Sequence, residues 1–108
     1  MAEDNLYLYK IQPTRPDMLT SGPTAEEDQV VSDHFDYLER LVNDGVVLLA
    51  GRTLNTDYSS FGIVIFRAVT LDAAQKIVAD DPAVHWRVMR AELYPYRIAL
   101  LGKSALFP

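Results

Sequence analysis

The sequence has no cysteine. Disulfides, thiolate nucleophiles and cysteine-based zinc or iron–sulfur centres are therefore excluded. Basic residues are also scarce: 10 Lys and Arg against 15 Asp and Glu leave a net charge of −5. No run of Lys or Arg forms the stripe that a phosphate-backbone binder needs, so nucleic acid is not an expected partner. No apolar stretch approaches the length that crosses a bilayer, and the opening MAEDNLYLYK lacks both a basic n-region and an apolar h-region. These absences predict a soluble, cytoplasmic protein with no membrane partner. Phosphate-cradling glycines are missing too, since AGRT at 50–53 has no companion glycines, and there is no serine nucleophile elbow. The two histidines show no His-x-His or Glu-x-x-His spacing, so neither a metal nor another cofactor is expected.

What is present is 108 residues, 49% of them hydrophobic, which is material for one domain over 1–108 with a single core. NLYLYKIQ at 5–12 reads as a first strand ending at Pro13. The stretch 12–23 holds three prolines and Gly22, so it is expected to be a long loop. Loops of that length in compact domains are mobile linkers or functional covers, which makes Arg15 and Asp17 candidates for contact with a ligand.

TAEE from Thr24 is a capping box, with the Thr24 hydroxyl accepting near Glu27 and Glu27 reaching back. The helix it starts runs to about Asn43, where Asp44-Gly45 supplies the stop. Val31, Phe35, Leu38, Leu41 and Val42 recur at three- and four-residue intervals on one face. Asp33, Asp36, Glu39 and Arg40 fall on the other, with Asp36 and Arg40 spaced for an i,i+4 pair. VVLLAG at 46–51 and the stretch 61–69 read as two more strands joined by LNTDYSS. Thr70 caps a second helix with Ala74, Ile77 and Val78 inward, closed by Pro82. A last strand begins near Met89 and includes 92–99, with Pro95 marking an edge or a bulge; 102–108 is left as a C-terminal tail.

The order βαββαβ predicts an α+β, ferredoxin-like split β-α-β protomer: a four-stranded antiparallel sheet with two helices on one face. The strands, however, are apolar on both sides. Leu6 and Leu8 alternate with Tyr7 and Tyr9, and Ile63 and Ile65 with Val64 and Phe66. Two helices cover only one face, so a second copy of the chain is expected on the other, sheet against sheet, as a homodimer.

His34 lies three residues after Val31 and four before Leu38, so its imidazole points with them toward the sheet. A buried imidazole needs a hydrogen-bond partner, and two readings meet that need. One is a core histidine held by a backbone carbonyl. The other pairs it with Asp81 of ADDPAV, 79–84, brought across the helical face to orient the ring and leave its second nitrogen to act as base or acid. Asp81 also has a plain role, as the Asp of an Asp-Pro turn. Arg52, at a strand end beside a loop, is either a surface arginine or a bidentate anchor for a substrate carboxylate. Asp57, Tyr58, Tyr94, Tyr96 and Arg97 admit both turn or packing roles and pocket-lining roles, and His85 and Trp86 read as local packing.

The combination HFDYLERLVNDGVVLLAGRTL, FGIVIFRA, ADDPAV and MRAELYPYRIALL resembles the YCII-related (YciI-like) family of the dimeric α+β barrel superfamily, over nearly the whole stretch 24–101. The resemblance implies a ferredoxin-like protomer, a dimer whose stacked sheets form a barrel, and a His–Asp site on His34 and Asp81. Some members of that family resemble enzymes acting on small, often aromatic, ring compounds; others resemble accessory domains linked to transcription control. AGRT stands where many members carry AGP, which sets Arg52 apart. The resulting expectation is a small cofactor-independent enzyme using His34 and Asp81 for acid/base chemistry, hydrolysis, elimination or isomerisation, on a small organic anion. Arg52, Arg15, Asp57 and Tyr94 are its candidate substrate contacts. The alternative is a non-catalytic dimeric module that binds a ligand or a regulatory partner.

Overall fold

The computed structural model describes residues 5–102. The tail expected at 102–108 thus lies, apart from Gly102, outside the described residues. Eight elements follow in order: β1 (Asn5–Pro13), α1 (Asp17–Thr20), α2 (Ala25–Asn43), β2 (Val47–Arg52), β3 (Gly62–Ala68), α3 (Leu71–Asp80), α4 (Pro82–His85) and β4 (Met89–Tyr96). The four strands form one antiparallel sheet in the order β2-β3-β1-β4, the ferredoxin-like arrangement. Among the described residues no helix is long and apolar enough to cross a membrane.

Local chemistry accounts for the element ends. At the start of α2 the Glu27 N–H donates to the Thr24 hydroxyl at 3.1 Å and the Thr24 N–H donates to the Glu27 carboxylate at 2.8 Å, so two otherwise orphaned amides are satisfied. Gly45, at φ 76°, supplies the left-handed turn that lets the chain leave α2 for β2. Pro95 sits on β4, which pairs only with β1, so its missing N–H breaks no central ladder.

Register assigns the two faces of the sheet. Tyr7 pairs with Phe66 and Tyr9 with Val64, and these side chains face the helices. There they form the core with Ile11, Val47, Leu38, Ala74 and Val78. The Phe66 ring meets Tyr9 edge-on at 5.7 Å and tilts against Tyr7 at 5.9 Å, geometries that aromatic quadrupoles favour. Leu8 pairs with both Ile65 and Tyr94 on the opposite face, where Leu6, Leu49, Ile63 and Tyr96 also lie.

Four expectations are corrected. The stretch 12–23 is not all loop: β1 continues through Pro13, and α1 forms a single turn that buries Met18. The last strand ends at Tyr96 rather than at 99. Phe35 and Val42 on the apolar stripe of α2 are 63% and 49% exposed, because that edge of the helix overhangs a cleft instead of touching the sheet. Arg40 and Asp36 also form no ion pair among those the described residues contain.

Candidate active site

Between α2 and the β2–β3 end of the sheet lies a cleft of about 530 Å³. One wall is α2, which contributes Val31, His34, Phe35 and Leu38. The floor is Ile11, Ala50, Gly62 and Val64 of the sheet, and Arg52 and Ser60 stand at its far end. Small residues keep this floor open. A Cβ at Gly62 would lie 3.1 Å from the Ile11 side chain, tighter than ordinary packing, so that position accepts only glycine without displacing its neighbour.

The inward face of α2 delivers His34 to the cleft wall, as its three- and four-residue spacing from Val31 and Leu38 requires. Asp81 arrives from the neighbouring helices of the same layer. It ends α3 and is the N-cap of α4, where the Ala83 N–H donates to its Oδ1 at 2.9 Å and Pro82 occupies the first helical position. Its side chain is fully buried. The His34 Nδ1 lies 2.7 Å from Oδ1 and 2.8 Å from Oδ2, and the Tyr9 hydroxyl donates to Oδ2 at 2.8 Å. Three donors thus converge on one carboxylate, which fixes its plane and with it the imidazole.

A carboxylate only accepts, so the neutral ring must carry its proton on Nδ1. The lone pair then sits on Nε2, on the opposite side of the ring, at the wall of the cleft. The Tyr9 phenol is held protonated far above the ordinary phenol range, first by burial and then by the negative Asp81 beside it. Tyr9 is therefore a permanent donor to Asp81. One helical turn beyond His34, the Tyr37 hydroxyl donates to the Ile77 carbonyl at 2.6 Å and ties α2 to α3. Burial, with smaller contributions from the Asp80 and Asp81 charges, pushes the Tyr37 phenol up to about 12.

The other residues singled out in the sequence fall in different places. Arg52 lines the same cleft as His34 and forms no ion pair among the described residues. Arg15 does not line it. Its guanidinium grips Glu27 through two N–H groups, one at 2.9 Å, and donates to the Gly22 carbonyl at 3.1 Å, which pins the loop before α2. That grip, reinforced by the Thr24 amide, lowers the Glu27 carboxyl to about 2. Asp57 folds its own turn, accepting from Asn55 Nδ2 and the Ser59 N–H at 2.9 Å each. Tyr94 lies on the sheet face away from the helices, donating to Glu92 at 2.6 Å. Arg15, Asp57 and Tyr94 thus stand outside the cleft. His85 packs edge-on against Trp86 at 4.8 Å, and no group of three or more potential metal ligands occurs among the described residues.

Tyr9 and Ser60 were not singled out by the sequence. Tyr9 reads there as one aromatic in an alternating strand, and its partner is 72 residues away. The only trace of it is that Tyr7 and Tyr9 share a strand face.

Among the solved structures that resemble this fold are the following two. The 5-chloro-2-hydroxyhydroquinone dehydrochlorinase TftG from Burkholderia phenoliruptrix AC1100, in complex with 2,5-dihydroxybenzoquinone, superposes with a TM-score of 0.64 at 20% identity, over 85% of this chain and 93% of its own. The uncharacterised protein TM1266 from Thermotoga maritima superposes with a TM-score of 0.57 at 10% identity, over 88% of this chain and 100% of its own. At those identities the likeness is one of fold. No curated protein matches the chain in sequence. The sequence profile of the YCII-related domain, however, matches residues 7–94, so the chain belongs to the YCII-related domain family.

Proposed function

We propose that the protein is a small-molecule enzyme in which His34, oriented by Asp81, moves a proton on an organic anion held in the cleft, with Arg52 as the anion's anchor. One observation carries this reading: a histidine tied through Nδ1 to a fully buried carboxylate, with Nε2 left to a mainly apolar cleft that also holds Arg52. An imidazole in that setting accepts a proton at Nε2, and the adjacent carboxylate stabilises the imidazolium that forms. Arg52 offers a guanidinium fork that matches a carboxylate bidentately, and the apolar walls strengthen its charge relative to water. The proton taken at Nε2 can return to a different atom of the substrate, can leave behind electrons that expel a leaving group, or can come from an attacking water. Isomerisation, elimination and hydrolysis are thus three outcomes of one device, and none of them calls on a cofactor. The fold supports small-molecule chemistry elsewhere: the similar TftG is a dehydrochlorinase.

The test is the tautomer of His34, read from its ring ¹⁵N shifts. With Asp81 present the neutral ring is expected as the Nδ1–H form. In Asp81→Asn, whose amide can present a donor to the ring, the Nε2–H form is expected to grow. An Nε2–H ring in the natural protein removes the base.

The functional unit in this reading is a homodimer. Leu6, Leu8, Leu49, Ile63 and Ile65, with Tyr94 and Tyr96, make one face of the sheet apolar while both helices lie on the other. A second sheet packed against it buries that face. Light scattering at micromolar concentration should give twice the chain mass, and a monomer there overturns the dimer.

A further inference from the structure

Ser60 is 5% exposed and lines the cleft that holds His34 and Arg52. Its backbone is pinned at both ends: its N–H donates to the Asp57 carbonyl at 3.0 Å, and its carbonyl accepts from Gln12 Nε2 at 3.2 Å. Its hydroxyl oxygen accepts from Thr53 Oγ1 at 3.3 Å. Thr53 is itself held, because the Phe61 N–H donates to its hydroxyl oxygen at 3.1 Å and its own N–H donates to the Phe61 carbonyl at 2.9 Å. The hydrogen bonds therefore run in one direction, from the Phe61 amide to Thr53 and from Thr53 to Ser60. Both hydroxyls rotate, so the Ser60 O–H can turn toward the cleft while its oxygen accepts from Thr53. Ser60 is paired through its oxygen, as is every buried side-chain polar atom among the described residues, and its O–H is the group left to meet a ligand in the cleft.

Position narrows what that acceptor is part of. Arg52 pairs with Gly62 across the β2–β3 ladder, and Ser60 lies two residues before Gly62, on the same face. Arg52 and Ser60 both line one cleft of about 530 Å³, room for a single small ligand. Besides His34 and the carboxylate of Glu39, the rest of the lining is mainly aliphatic or aromatic, with Val31, Phe35, Leu38 and Val64 prominent.

We infer that Ser60 is a specificity-determining residue that donates to a carbonyl oxygen of the ligand, and that the substrate class is a small oxo acid with an apolar body. Arg52 takes its carboxylate and Ser60 its oxo group. This rests on the acid/base reading above and adds a reason for the oxo group. When Nε2 of His34 removes a proton from the carbon beside that carbonyl, the C–H electron pair becomes a C=C bond and the C=O pair moves to oxygen. The resulting enolate oxygen then accepts from Ser60 more strongly than the neutral carbonyl did.

The test compares two probes that differ only in the oxo group, benzoylformate and phenylacetate, by calorimetric titration of the intact protein. The natural protein should bind benzoylformate about tenfold more tightly. Ser60→Ala should abolish that preference while leaving the phenylacetate affinity unchanged, which also shows that the variant is folded and Arg52 in place. Equal affinities in the natural protein, or a preference that survives Ser60→Ala, overturn the role of Ser60. Failure of both acids to bind overturns the substrate class. The acid/base reading fails by a different measurement, the His34 tautomer, whose result leaves this affinity ratio unchanged.

Discussion

Asp81→Ala is expected to remove about 3–5 kcal/mol of folding stability, the range seen when one partner of a buried pair is deleted. The magnitude follows from what the carboxylate holds. It is fully buried and accepts from the Tyr9 hydroxyl, the Ala83 N–H and His34 Nδ1. Alanine leaves all three donors without an acceptor, and an orphaned buried donor costs about 1–3 kcal/mol. The loss of the cap on α4 is part of the same sum. With roughly 4–8 °C of Tm per kcal/mol for a domain of this size, the midpoint should fall by about 15 °C or more.

Asp81→Asn keeps the shape and one accepting oxygen and should cost less than alanine. In the double variant with Tyr9→Phe the loss should be smaller than the sum of the singles, since the phenol that alanine orphans is gone. Thermal and urea unfolding at fixed protein concentration measure all three. A loss below about 1 kcal/mol for Asp81→Ala would mean that water enters and replaces the carboxylate, and the rigid support for His34 would go with it.

How far the sequence reveals this arrangement depends on the range of each interaction. The capping box at Thr24 and Glu27 closes over three residues, so it is visible in TAEE and found in the structure. The stop at Asp44-Gly45, the four main strands and the two long helices rest on equally local signals. Four-residue helices are too short to show a period, which hides α1 and α4. In the sequence Pro82 reads only as the end of α3. It is also the first residue of α4, and Asp81 is the joint between the two helices.

The site is legible only in part, for the same reason. Periodicity turns His34 inward, and the Asp-Pro pair marks Asp81, but no rule of spacing joins residues 47 apart. Tyr9, on the sheet beneath both helices, gives no sign beyond its strand alternation. Arg15 and Asp57 show the opposite difficulty. A charged residue in a loop reads as available for a ligand when its local partners, Glu27 for the first and Asn55 and Ser59 for the second, are not visible in the sequence. Ser60 was hidden among the polar residues of LNTDYSS, and burial alone separates it from its exposed neighbour Ser59.

His34→Ala should divide stability from turnover in the direction opposite to Asp81→Ala. The His34 side chain keeps 12% of its surface open at the cleft wall, so cleft water can take its place against Asp81, which still accepts from Tyr9 and the Ala83 N–H. The expected loss of stability is about 1 kcal/mol. On any substrate that the natural protein turns over, kcat/KM should fall by about 10²–10⁴, the usual contribution of a positioned acid or base. That range corresponds to roughly 3–5 kcal/mol of transition-state stabilisation.

A histidine kept only for packing predicts the reverse, a clear drop in Tm with turnover intact, and such a result would make the protein a binding module. The two variants are informative together because they share one hydrogen bond and differ in which end faces the cleft. If both lower Tm alike and neither changes turnover, the pair is part of the core. If Asp81→Ala unfolds the protein and His34→Ala leaves it folded but inactive, the buried carboxylate is the support and the imidazole is the group that meets the substrate.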